Sequence, residues 1–160
     1  MRQQRKWRRG AVMFLQAVAA SLWLVAGCAT VENPVPGSLA WVRIPGRSDT
    51  QVHSALCSVF AERTFKSRLD TFTPGSESYN MTLERKPGTM NRWAYSALLE
   101  TGVQERVKVL VTGDSNNWLI SLEAFMVSNS SATYEEEHKL SSLTHDTYQQ
   151  ILDSVKARLQ

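Results

Sequence analysis

Hydrophobic positions change their spacing several times along this chain, and each change marks an element. Leu39-Ala40-Trp41-Val42-Arg43-Ile44 is a short strand-forming run stopped by Pro45-Gly46, a strong turn signal. Ser48 and Gln51 then stand at capping-box spacing, which starts a helix near Asp49 or Thr50. Val52, Leu56, Val59 and Phe60 fall on one helical face, whereas Phe65 and Leu69 drift off it. The helix is therefore expected to end near Arg63, with residues 64–72 extended and Pro74-Gly75-Ser76 a turn. Tyr79, Met81 and Leu83 alternate with polar residues as a half-buried strand that ends at Lys86-Pro87-Gly88. Val107, Val109 and Val111 alternate in the same way within Arg106 to Thr112. Gly113-Asp114-Ser115-Asn116-Asn117 reads as a hairpin connection into the apolar strand Trp118 to Val127. Between these strands, Met90 to Gly102 reads as one helical turn crossing the sheet edge.

The C-terminal pattern admits a single long helix from Tyr134 onward or a strand followed by a shorter helix. Asp146-x-x-Gln149 and Thr147-x-x-Gln150 are both capping-box spacings, and the stripe Tyr148, Ile151, Leu152, Val155 and Leu159 is clean only beyond them. Lys156 and Arg158 sit in the last turn, where they favour the helix dipole. The helix is thus placed at 146–159, with Tyr134 to Leu140 a further, polar strand. The order β-α-β-β-β-(β)-α gives an α+β domain: an antiparallel sheet of four to five strands with two helices.

The first 28 residues follow a different logic. Arg2, Arg5, Lys6, Arg8 and Arg9 precede the uncharged, mostly apolar run Ala11 to Leu24, and small residues close it. These are the parts of an export signal, and the run is shorter than the roughly 20 apolar residues of a membrane span. An uncleaved anchor helix is the other reading of the same run. Val25-Ala26-Gly27-Cys28 resembles the lipobox of bacterial lipoproteins. That resemblance implies diacylglycerol on the Cys28 sulfur, cleavage before Cys28, and N-acylation of the new amine, palmitate being a typical chain. It also implies a signal peptide at 1–27 and a lipid anchor. Two or more acyl chains anchor stably, whereas one is marginal. Ala29 stands where an aspartate would retain such proteins in the inner membrane, so the family's sorting rule implies the outer membrane, facing the periplasm, in a two-membraned cell.

Cleavage changes the charge. The whole chain carries +3 with a pI near 9.0, but five basic residues and no acidic ones lie before Cys28. The 13 basic against 15 acidic residues that follow leave −2, and no basic patch with interleaved aromatics remains, so nucleic acid is not an expected partner. Residues 28–38, with Pro34, Pro36 and Gly37, form a short stiff tether ahead of a single domain at 39–160. Residues 124–160 look like the tail of small, uncharacterised bacterial lipoproteins, a likeness that brings no activity and no site residues. The element order also resembles helix-grip domains, including those of accessory lipoproteins in outer-membrane protein assembly, in architecture alone.

Little catalytic chemistry shows. His53 and Cys57 share a helix face and are a possible metal or thiolate–imidazole pair, but they supply two ligands where a structural zinc takes four. Helix-flank residues beside the core are the plainer reading, and Cys57, in ALCSVF, is expected to be shielded. Glu135-Glu136-Glu137-His138 reads as the charged face of an edge strand rather than a metal site. Asp114 and Ser115 suit a tight turn, and Trp41, Trp93 and Trp118 suit the core. No GxSxG, HExxH or phosphate-binding loop occurs. No metal, cofactor or enzymatic activity is expected beyond the lipid on Cys28. The leading expectation is an envelope lipoprotein that binds another envelope protein as an accessory or scaffold; the alternative is a carrier for a lipid or other apolar ligand.

Overall fold

Strands of 11 and 12 residues, joined between Asp114 and Asn117, make the longest hairpin among the described residues. The computed structural model describes residues 34–87, 103–114, 116–128 and 134–160. In order these form β1 (Ala40–Pro45), α1 (Asp49–Glu62), β2 (Lys66–Asp70), β3 (Ser78–Arg85), β4 (Gln104–Asp114), β5 (Asn117–Ser128), β6 (Glu136–Lys139), a 3₁₀ turn (Ser142–Thr144) and α2 (His145–Arg158). The signal region, Cys28, the stretch Met90 to Gly102 with Trp93, and Ser115 lie outside the described residues.

All pairings are antiparallel, and the strand order is β1-β5-β4-β3-β2. β5 is long enough to be shared: Asn117–Leu122 pair with β1, and Phe125–Ser128 pair with β6 along the same edge. Registry aligns apolar side chains into rows. Met81, Val109, Leu122 and Ala40 face one another across four strands, and so do Tyr79, Val111, Ile120 and Val42. All eight are buried. The helices cover this face with Val52, Ala55, Leu56, Val59 and Phe60 of α1 and Tyr148, Ile151, Leu152 and Val155 of α2. The α+β class, with two helices on an antiparallel sheet, is the expected one, and β2 adds a strand to it.

The turns follow from side-chain chemistry. Asp114 Oδ1 accepts hydrogen bonds from the backbone N–H of Asn116 and Asn117, which closes the β4–β5 hairpin. Gly113 is required beside it, because a Cβ there would lie 2.2 Å from the Asn117 carbonyl oxygen. Ser48 and Gln51 form the expected reciprocal capping box at the start of α1. At the other end, the Thr64 N–H bonds the Ala61 carbonyl, and the Phe65 N–H bonds the Phe60 carbonyl. With the Phe60 and Phe65 rings edge-to-face at 5.3 Å, this is a Schellman motif. Its left-handed position is held by Thr64, at φ 65°, where glycine is usual.

The start of α2 differs from expectation. Neither Asp146 nor Thr147 caps it; the 3₁₀ turn leads into the helix at His145, and Thr144 makes no side-chain capping bond. The 3₁₀ turn already delivers the chain in helical geometry, so the capping spacings are left one turn inside. From α2, the Gln149 side-chain amide accepts from the Trp41 N–H and donates to the Trp41 carbonyl, bonding both backbone groups of a β1 residue.

Burial of the α2 stripe predicts that Leu152→Ala destabilises the domain by about 2–5 kcal/mol. Lys156→Ala, on the exposed side, should stay within about half a kcal/mol. Equal urea midpoints for the two variants would contradict the packing. Thr64→Gly should raise stability by about 1 kcal/mol, because a β-branched residue is strained at positive φ. The check is a higher urea midpoint at unchanged slope.

Candidate functional site

One turn of helix separates His53 from Cys57, so both project from the same flank of α1 toward β2. β2 reaches them through an irregularity. Ser67 pairs with Leu83, but the register shifts between Ser67 and Leu69, so that Leu69 pairs with Thr82 and Asp70 with Met81. Simple alternation from Ser67 would turn Leu69 to the helix side. The bulge instead turns Leu69 outward, 53% exposed, and brings Asp70 to α1.

The three polar side chains converge. His53 Nε2 lies 2.7 Å from Asp70 Oδ2 and 3.6 Å from Cys57 Sγ. One donor atom from each residue falls within 4.8 Å of the others, the one such trio of His, Cys and acidic residues among the described residues. The imidazole is clamped as well as bonded. Phe72 stacks on it at 4.0 Å with rings 8° from parallel, and Tyr79 meets it edge-on at 5.6 Å. Asp70 Oδ1 accepts from the Phe72 N–H at 3.0 Å, so the turn that presents Phe72 also fixes the carboxylate. The following turn is tied to the start of α1, where Asp49 accepts from the Gly75 N–H.

Burial and neighbouring charge disfavour the thiolate at this site. Burial, and then the negative charge of Asp70, push the Cys57 thiol above its ordinary value. Burial raises the Tyr79 phenol further, with Cys57 and Asp70 adding to it. The Tyr79 hydroxyl is buried and has no hydrogen-bond partner. A nucleophilic relay needs the two ring nitrogens of histidine to face different groups, the thiol on one side and the carboxylate on the other. Here Nε2 faces both, and burial and Asp70 disfavour the thiolate. This is a point of convergence, not a relay.

Cys57 departs from the expected shielding. Its neighbours Ala55, Leu56, Val59 and Phe60 are buried, but Cys57 is only half-buried. Position 57 lies at the margin of the apolar stripe, where α1 turns from the sheet's centre toward its β2 edge. Asp70 and Phe72, which complete the site, were not legible as such: the extended segment offers no periodicity that announces a bulge.

The other charged stretch has a different fate. Arg106, 6% exposed at its side chain, donates through Nε to Glu84 and through Nη1 to Glu137, each at 2.6 Å, and lies 2.8 Å from Glu135. Arg68 joins Glu84 and Glu135, and Lys108 joins Glu137. Hydrogen bonds from Arg106 and Arg68 hold the Glu135 carboxyl below its usual range. Partial burial pushes Glu137 up, but Lys108 and Arg106 outweigh it and the net shift is downward. Glu135 and Glu137 therefore serve an ion-pair network on the face of the sheet away from the helices, while Glu136 lies 3.8 Å from His138. Trp118 is in the core with its Nε1 donating to the Arg47 carbonyl, whereas Trp41 is 43% exposed on the outer face, against expectation.

No family model, no curated protein and no solved structure matches the chain. No helix among the described residues is long and apolar enough to cross a membrane.

Labelling of Cys57 by a water-soluble maleimide should proceed in the folded protein at a rate between those of a free and a buried thiol. Because burial and then Asp70 raise the thiol, its pH-rate inflection should sit above the ordinary thiol range and move to lower pH in Asp70→Asn. An unmoved inflection would separate the two groups electrostatically.

Proposed function

We propose that this chain is a membrane-anchored lipoprotein of the cell envelope, held by lipid on Cys28, whose folded domain is a non-enzymatic accessory that binds another envelope protein. The anchor rests on the order of a basic segment, a short apolar run and Val25-Ala26-Gly27-Cys28. The binding role rests on one observation, the contrast between the two faces of the sheet. The helix side is filled: Val52, Leu56, Phe60, Leu122, Tyr148 and Leu152 have no exposed surface. That packing favours the docking reading over the carrier reading. On the other side, Trp41, Ser121, Leu110 and Asn80 align across four strands. Beside them opens a groove of about 390 Å³ lined by Val35, Leu69, Leu110 and Lys108. An apolar groove rimmed by charge is the usual form of a protein-binding patch.

Two experiments test the reading. Mass spectrometry of the mature protein should find Cys28 as the first residue, carrying acyl chains, and Cys28→Ala should leave a signal-bearing precursor without lipid. An unmodified N-terminus downstream of Ala29 in the soluble periplasmic fraction would falsify the anchor. A photo-crosslinker placed at Leu110 should trap a discrete protein adduct in intact membranes, while one at Lys156 on α2 should not. Identical adducts from both positions, or none from either, would remove the support for the outer face as a docking surface.

A further inference from the structure

We propose that His53, Cys57 and Asp70 form a binding site for a divalent transition ion of the zinc class. The inference is independent of the accessory role. Thiolate sulfur, imidazole nitrogen and a single carboxylate oxygen are the donor set that zinc accepts, whereas magnesium and calcium call for oxygen throughout. Zinc bonds these atoms at about 2.0–2.3 Å, so two of them in a tetrahedron stand roughly 3.5 Å apart. The Sγ···Nε2 distance of 3.6 Å already meets that spacing. The Nε2···Oδ2 distance of 2.7 Å is a hydrogen bond and must open by less than about 1 Å.

The scaffold around these donors is built to hold them. Two come from adjacent turns of a capped helix, and the imidazole plane is fixed between Phe72 and Tyr79. Asp70 is fixed through its second oxygen. The side chains of His53 and Asp70 remain 20% and 29% exposed, which leaves a path for the ion. An independent feature also points to a ligand. The hydroxyl of Tyr79, a residue only 2% exposed, is buried without a partner beside the ring that would bind the metal. A water on the fourth position of the ion gives that hydroxyl the acceptor it lacks. Binding balances as a proton exchange. In the neutral imidazole the one ring proton passes from Nε2 to Nδ1 by way of solvent, which frees Nε2 for the ion, and the Cys57 proton leaves to water.

The test uses the full chain with Cys28→Ser, which makes Cys57 its sole thiol, purified in detergent and freed of metal. Titration with Co²⁺ should give a thiolate-to-cobalt charge-transfer band in the near ultraviolet that saturates at one ion per chain. Stoichiometric Zn²⁺ should abolish the band, and excess Mg²⁺ should not. Cys57→Ala should remove it, and His53→Gln and Asp70→Asn should weaken Zn²⁺ binding by more than about tenfold, with far-ultraviolet circular dichroism reporting that each variant is folded. A folded parent chain with no saturable band overturns the proposal. So does Zn²⁺ affinity unchanged in a folded Cys57→Ala or His53→Gln variant.

Discussion

β5 is paired along both of its edges, and that constraint places nearly everything else. With β4 on one side and β1 and β6 end to end on the other, its side chains have no freedom of register. A shift by one residue would turn Trp118, Ile120, Leu122, Ala124 and Met126 away from the helices together. The helices then settle where the apolar rows are. At the end of those rows the same registry sets Arg85, Glu105 and Met126 side by side. Glu105 is fully buried there, accepting from Tyr148 Oη at 2.6 Å and from Arg85 Nη2 at 2.8 Å. A buried carboxylate costs several kcal/mol unless it is paired, so this pair fixes how α2 lies over β4. Arg85 extends the tie by stacking on Phe65, just past the end of α1.

Most of this was legible because it depends on periodicity. The alternation in β3, β4 and β5 and the stripe in α2 are local signals that agree with the tertiary packing, as expected of a sequence consistent across levels. What escaped was set by non-local geometry. Glu105 and Arg106 look alike as neighbouring charges, and only the sheet's two faces separate one into a buried helix contact and the other into an outer ion-pair network. Asp70 was invisible as a partner of His53, since its direction depends on a bulge. The spacing of His53 and Cys57 on one helix face was readable, and it carried half of the site.

The two faces also divide the chemistry. Charge on the outer face is neutralised within a network of opposite charges drawn from β2, β3, β4 and the β6 segment, a surface that salt weakens. The His53 cluster lies on the other side, between α1 and the β2 edge, where aromatic rings rather than counter-charges set its environment. The two proposed sites therefore lie on opposite faces of the sheet.

The Gln149 amide, bonded to both backbone groups of Trp41, has a meaning for how copies of this chain behave together. A free strand edge is a template, and chains anchored at a common surface, as proposed above, would meet one another far more often than chains in solution. By presenting one donor and one acceptor in the places a neighbouring strand would use, Gln149 acts as a one-residue counterfeit of that strand. The sheet is thereby finished at β1 without a further strand, and crowding along that edge finds fewer unsatisfied backbone groups to exploit.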